Sequence, residues 1–124
     1  MQRSEMIERT KRFALRIIRL VSKLPKNRAA EIIGRQLLRS GTSVGANYRE
    51  AARASTKKHF TSILTVALRE ADESLYWLEL LRDGQIVEPK LLGDIINECQ
   101  QLVAILAASV KKASQGKSQQ GERG

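Results

Sequence analysis

Aromatic side chains make up only 4% of this 124-residue chain: Phe13, Tyr48, Phe60, Tyr76 and Trp77. Any core must therefore be aliphatic, drawn from the Leu, Ile, Val and Ala within an apolar content of 42%. The single cysteine, Cys99, excludes an intrachain disulfide. Together with the single histidine, His59, it falls short of the four ligands of a structural zinc site. On an apolar helical face, Cys99 reads as a small core residue rather than a nucleophile. Proline occurs twice, at Pro25 and Pro89, and the long proline-free stretches rich in Leu, Ala, Arg, Glu and Lys predict an all-helical protein. The longest apolar run, Leu102 to Ala108, is far below the ~20 residues of a membrane span. The first residues, Met-Gln-Arg-Ser-Glu-Met, are charged, so no signal peptide is expected. These features lead us to expect a cytoplasmic protein with no membrane partner.

Acidic residues are scarce in the first half. Residues 1–55 carry the whole net charge of +9, and the remainder is balanced. Such asymmetry points to an anionic partner, nucleic acid or an acidic protein, or to a solvated surface that keeps an oligomer soluble.

Catalytic machinery is not evident. His59 has no obvious carboxylate relay. Glu70, Asp72, Glu73 and Glu79 resemble the carboxylates of a di-iron bundle, but the Glu-x-x-His motifs of that chemistry are missing. The expectation is a non-enzyme without metal or cofactor.

Four helical segments can be drawn within one domain, residues 1–113, followed by a polar tail, 114–124, expected to be disordered. The first, about Ser4 to Lys23, has Met6, Phe13, Ile17, Leu20 and Leu24 in one stripe with Thr10 in the gap. Ile7, Ala14, Ile18 and Val21 widen it enough to meet a second subunit. Arg9, Arg12, Arg16, Arg19 and Lys23 form another stripe. The second, about Asn27 to Ala54 with Asn27 as candidate cap, places Ala29, Ile33, Gln36, Leu37, Ser40, Val44, Asn47 and Ala51 on the core side. Gly34, Gly41, Gly45 and Ala52 form a line of small residues, and Arg28, Arg35, Arg39, Arg49 and Arg53 lie within an arc of about 80° opposite the core. Glycine costs about 1 kcal/mol against alanine inside a helix, so this helix is expected to pack its backbone closely against another. The third runs from a Ser55/Thr56 cap to about Asp83, with Gly84 as stop. The fourth begins at Pro89 and ends near Ala113. The connections are short, which predicts an antiparallel up-down-up-down four-helix bundle.

Glu70, Glu73 and Trp77 share a flank of the third helix. The carboxylates need partners there, for which the arginines are the natural candidates, or else sit at a solvated edge. Trp77 can be an interface anchor or plain core. Asn47 must satisfy its amide, either by fixing register or by bonding a nearby carbonyl. A helix-turn-helix over residues 36–51 is rejected, because the core stripe continues in phase from Leu37 through Val44 to Ala51.

Gln36-Leu37-Leu38-Arg39-Ser40 followed by Ser43-Val44-Gly45-Ala46-Asn47 resembles the signature of the four-helix bundle proteins also called ribosomal RNA intervening-sequence proteins. The run Glu70-Ala71-Asp72-Glu73-Ser74-Leu75-Tyr76-Trp77-Leu78-Glu79-Leu80-Leu81 resembles a second signature of one branch. Many members carry Gly-Ser where Arg69-Glu70 stand here, and the similarity spans roughly Arg9 to Ala108. The resemblance implies a ring-like homopentamer and no catalytic residue. Some members are encoded within intervening sequences of large-subunit ribosomal RNA genes. Distant relatives are accessory proteins of diversity-generating retroelements that bind a reverse transcriptase and nucleic acid.

Two functions follow as expectations. In the first, Arg9, Arg12, Arg16, Arg19, Arg35, Arg39, Arg49 and Arg53 meet an RNA or DNA backbone. In the second, the bundle is a scaffold that docks a protein such as a reverse transcriptase, and the arginines serve subunit pairing. Gly34, Gly41, Gly45, Asn47, Glu70, Glu73 and Trp77 are candidates for helix packing or assembly in either case.

Overall fold

The computed structural model describes residues 1–123, with side chains through Gln115. Among these residues are four helices and no strand: α1 (Arg3–Ser22), α2 (Arg28–Ala52), α3 (Lys57–Asp83) and α4 (Pro89–Arg123). They pack as a helical bundle in which α2 lies against α1 and α3, and α3 against α4, while α1 and α4 meet least.

Local chemistry sets the helix starts. The Asn27 side chain accepts from the Ala30 N–H at 2.9 Å, and the Thr56 hydroxyl accepts from the His59 N–H at 3.1 Å. Each satisfies one of the four donors that a helix N-terminus leaves without intrahelical partners. Gly84 caps α3 with φ −79°, and the left-handed position falls instead on Gln85, at φ 58°. Gly84 is the expected stop, but its lack of a side chain answers to proximity: a Cβ there would sit 2.8 Å from the Leu80 carbonyl.

The buried lines follow a repeat of three and four. In α2 they are Ala30, Gly34, Leu37, Gly41, Val44, Tyr48 and Ala51, and in α3 Leu64, Ala67, Ala71, Ser74, Leu78 and Leu81. A repeat averaging 3.5 residues is the seam along which helices pack side chains of one into gaps of the next. With Met6, Phe13 and Ile17 of α1 and Leu92, Cys99, Leu102 and Leu106 of α4, they form one aliphatic core.

One expectation about faces differs. Ala29 is exposed and Ala30 is buried, because α2 turns its stripe toward the glycine line and α1. Ile18, 45% exposed, lies on the part of the α1 apolar arc that the other described helices leave uncovered.

The backbone of α4 continues to Arg123, past the expected end near Ala113, with no proline to stop it. The expected disordered tail, 114–124, lies mostly outside the described side chains. The Pro89–Gln115 part of α4 is long and apolar enough to cross a membrane by length and composition. Its apolar stripe, however, is the fourth wall of the core, with Leu92, Cys99, Leu102 and Leu106 fully buried.

Candidate nucleic-acid interface and helix-packing sites

The glycine line of α2 faces α1. A Cβ on Gly41 would stand 2.9 Å from both Cγ1 and Cγ2 of Ile17. On Gly45 it would stand 3.2–3.3 Å from Thr10, including that residue's backbone carbonyl. On Gly34 it would stand 2.8 Å from Leu24 Cδ1. The close approach anticipated from these glycines is thus made within one chain. Thr10 is fully buried beside Gly45, and its hydroxyl donates to the Met6 carbonyl at 2.7 Å. This internal bond satisfies a polar group that would otherwise be stranded in the core.

The opposite edge of α2 joins α3 through polar side chains. Arg39 donates to Glu70 at 3.1 Å and to Glu73, while Ser74 donates to Ser40 at 2.8 Å in the buried layer beneath. Glu70 and Glu73 therefore find their partner arginine within the chain. The Arg39 side chain is 49% exposed, so these ion pairs specify register more than they stabilise, at about 0–1 kcal/mol each. Asn47 is half-buried and donates to the Ser43 carbonyl at 2.9 Å, a local bond within its own helix. Trp77 is half-buried and packs edge-on to Tyr76 with ring centroids 5.1 Å apart, and its buried Nε1 has no hydrogen-bond partner among the described residues.

Arg9 is the second arginine used internally. Its guanidinium grips Glu98 of α4 in two-pronged fashion, at 2.9 and 2.7 Å, and also donates to Gln101 at 2.8 Å. The hydrogen bond to Glu98 holds Arg9 still more firmly in its charged form. Sequence reasoning missed Glu98, Gln101 and the Ser40–Ser74 bond, because partners 89, 92 or 34 positions apart leave no periodic signal. Arg3 is also placed, 4.5 Å above the Phe60 ring.

The other candidates, Arg12, Arg16, Arg19, Arg35, Arg49 and Arg53, form no ion pair among the described residues. All are exposed except Arg16, which is half-buried. At 100° per residue, Arg12, Arg16, Arg19 and Lys23 fall within an arc of about 60° on α1. Arg28, Arg35, Arg49 and Arg53 fall within a similar arc of about 60° on α2. Leu15, Ile18 and Leu38 are exposed to 43%, 45% and 37% on the outer surface of the same two helices.

Cys99 is fully buried and lies 3.3 Å from the Ala71 carbonyl, to which its thiol donates. Burial pushes the thiol up to about 12, with smaller contributions from Asp72, Glu98 and Glu79. Reaction with a soluble disulfide reagent at pH 8 should be negligible in the folded protein and complete in guanidinium, since the thiolate is the nucleophile. Rapid labelling without denaturant would contradict the buried placement. With its thiol pushed up, the folded state keeps this proton to higher pH than the unfolded chain. This contribution to stability is therefore whole below about 9 and is lost as pH rises toward 12.

A buried aliphatic seam, one helix pair closed by glycines and two arginine clamps define a helical-bundle protein whose six other candidate arginines lie along its first two helices. The chain belongs to the 23S rRNA-intervening sequence protein family, whose model matches residues 2–108. It is also similar to a solved structure from Bacteroides thetaiotaomicron, described as a protein with unknown function from the S23 ribosomal protein family. That structure is 34% identical, with a TM-score of 0.82, and the match covers 90% of this chain and 99% of the other. No curated protein matches.

Proposed function

We propose that this protein is a non-enzymatic, cytoplasmic, antiparallel up-down-up-down bundle that self-associates and binds the phosphate backbone of RNA or DNA. The order of contacts supports the antiparallel arrangement: Gly34 meets Leu24, Gly41 meets Ile17 and Gly45 meets Thr10. The observation that carries nucleic-acid binding is the division of the arginines. Arg9 and Arg39 are spent on Glu98, Glu70 and Glu73, whereas Arg12, Arg16, Arg19, Arg35, Arg49 and Arg53 have no ion-pair partner among the described residues. Arginines of this kind suit phosphate contacts, which hold a nucleic acid without reading its sequence.

Up to six such contacts give a slope of about −5 in log K against log salt for a duplex. Affinity for an RNA or DNA duplex should therefore fall about a thousandfold between 50 and 200 mM salt. Fluorescence anisotropy across that range checks it, and no binding at the low-salt end defeats the reading.

Leu15, Ile18 and Leu38 favour a second role for the same helices, as the surface of subunit pairing or of a docked protein. On that reading Arg35→Glu dissociates the oligomer in light scattering while nucleic acid is retained.

A further inference from the structure

Resting on the phosphate-binding reading above, we propose that the nucleic acid this bundle takes is a double helix rather than a single strand. The ground is where the five aromatic residues lie. Single strands are held by stacking bases on aromatic rings along a positively charged groove. Here Phe13 and Tyr48 are buried in the core, and Arg3 lies over Phe60. The remaining pair, Tyr76 and Trp77, lies on α3, where Glu70 and Glu73 on the flank of Trp77 take up Arg39.

The described grooves repeat the pattern. One, along the start of α1, is lined by Glu5, Glu8, Arg9 and Arg12 among others, and the second, between α1 and α2, by Val21, Leu24, Gly34 and Arg35 among others. Neither is lined by an aromatic ring, and the first sets two carboxylates beside its arginines. A flexible strand laid on these helices would have to be ordered with no stacking in return.

A duplex is already ordered and needs only cations. Arg12, Arg16, Arg19 and Lys23 span about 16 Å of one helix edge at 1.5 Å per residue. Along that length a duplex presents a phosphate charge about every 1.7 Å, twice the density of a single strand. A straight cationic row on a rigid helix matches that repeating charge. Used on phosphates alone, such a row predicts little preference for sequence.

The test is fluorescence anisotropy on the full-length protein at 50 mM salt. The probes are a 20-base-pair RNA duplex, a DNA duplex of the same sequence, and an unstructured 20-nucleotide oligo(U). At least tenfold tighter binding of either duplex than of oligo(U) is expected. The emission of Trp77, the only tryptophan, should be unchanged at saturation. Combining Arg12→Gln, Arg16→Gln and Arg19→Gln should make the duplex salt slope shallower by about 3, with the urea midpoint unchanged. Equal or tighter binding of oligo(U), or quenching of Trp77 by it, overturns the duplex assignment and leaves phosphate binding standing. Failure of all three probes to bind overturns both.

Discussion

Gly41→Ala is expected to destabilise the protein by up to about 2 kcal/mol, although alanine is the better helix former by about 1 kcal/mol. The added methyl carbon would stand 2.9 Å from two carbons of Ile17 and 3.2 Å from a third. Ile17 is fully buried and β-branched, so it has neither room nor rotamers with which to withdraw. Overpacking of this kind costs about 1–3 kcal/mol and offsets the gain in propensity. Gly93 supplies the opposite sign. A Cβ there meets nothing within 4 Å, so Gly93→Ala should stabilise by about 0.5–1 kcal/mol. Urea unfolding of the two variants should move the midpoints in opposite directions at an unchanged m-value. Ile17→Ala alone should cost about 2–5 kcal/mol. Combined with Gly41→Ala it should cost less than the sum, because the cavity accepts the new methyl. A Gly41→Ala protein as stable as the parent would mean that α1 and α2 can separate cheaply.

The glycine line shows how much of this architecture is legible before any coordinates. Four helices, their short connections and most buried positions follow from spacing and composition. So does the inference that Gly34, Gly41 and Gly45 mark a close helix approach. The sequence did not say which helix approaches, because a glycine records the nearness of a neighbour but not its identity. The identity is α1, through Ile17 and Thr10. The one-residue shift from Ala29 to Ala30 has the same origin: drawing α1 close rotates the stripe, and two adjacent alanines give no signal against it.

Charge was harder to assign. Eight arginines look alike on a helical wheel, and what separates Arg9 and Arg39 from the rest is a carboxylate on another helix. For Arg39 those carboxylates, Glu70 and Glu73, could be suspected from their flank position on α3. For Arg9 nothing in α1 pointed to Glu98. The internal clamps also narrow the functional question, since an arginine held by two or three acceptors is not free to meet phosphate. Six of the candidate cations remain for an external anion, and they sort onto two helices whose outer surface also carries Leu15, Ile18 and Leu38. That surface mixes the chemistry of phosphate binding with that of protein packing. It is why salt dependence and oligomeric state have to be measured on the same variants.

Arg9→Glu should open the side of the bundle where α1 meets α4. The two helices touch least of all neighbouring pairs, and Arg9 joins them through Glu98 and Gln101 across 89 positions of sequence. Both charged side chains are mostly covered, at 17% and 19% exposure. Such a pair lies between an exposed bridge, worth about 0–1 kcal/mol, and a buried one whose disruption costs about 3–5 kcal/mol. Reversal adds repulsion to the loss, so a destabilisation of about 2–3 kcal/mol is expected, within the range for a broken, partly covered pair. Hydrogen exchange should locate the damage, with amides of α1 losing protection ahead of those in α2 and α3. Adding Glu98→Arg restores an opposite-charge pair with its ends exchanged and should recover at least half of the lost stability. Recovery by the swap is the decisive outcome, because a glutamate that merely disturbed α1 packing would gain nothing from an arginine on α4. If Arg9→Glu leaves α1 protected, the glycine-lined contact with α2 alone holds the first helix, and the Arg9 clamp is an ornament of the surface.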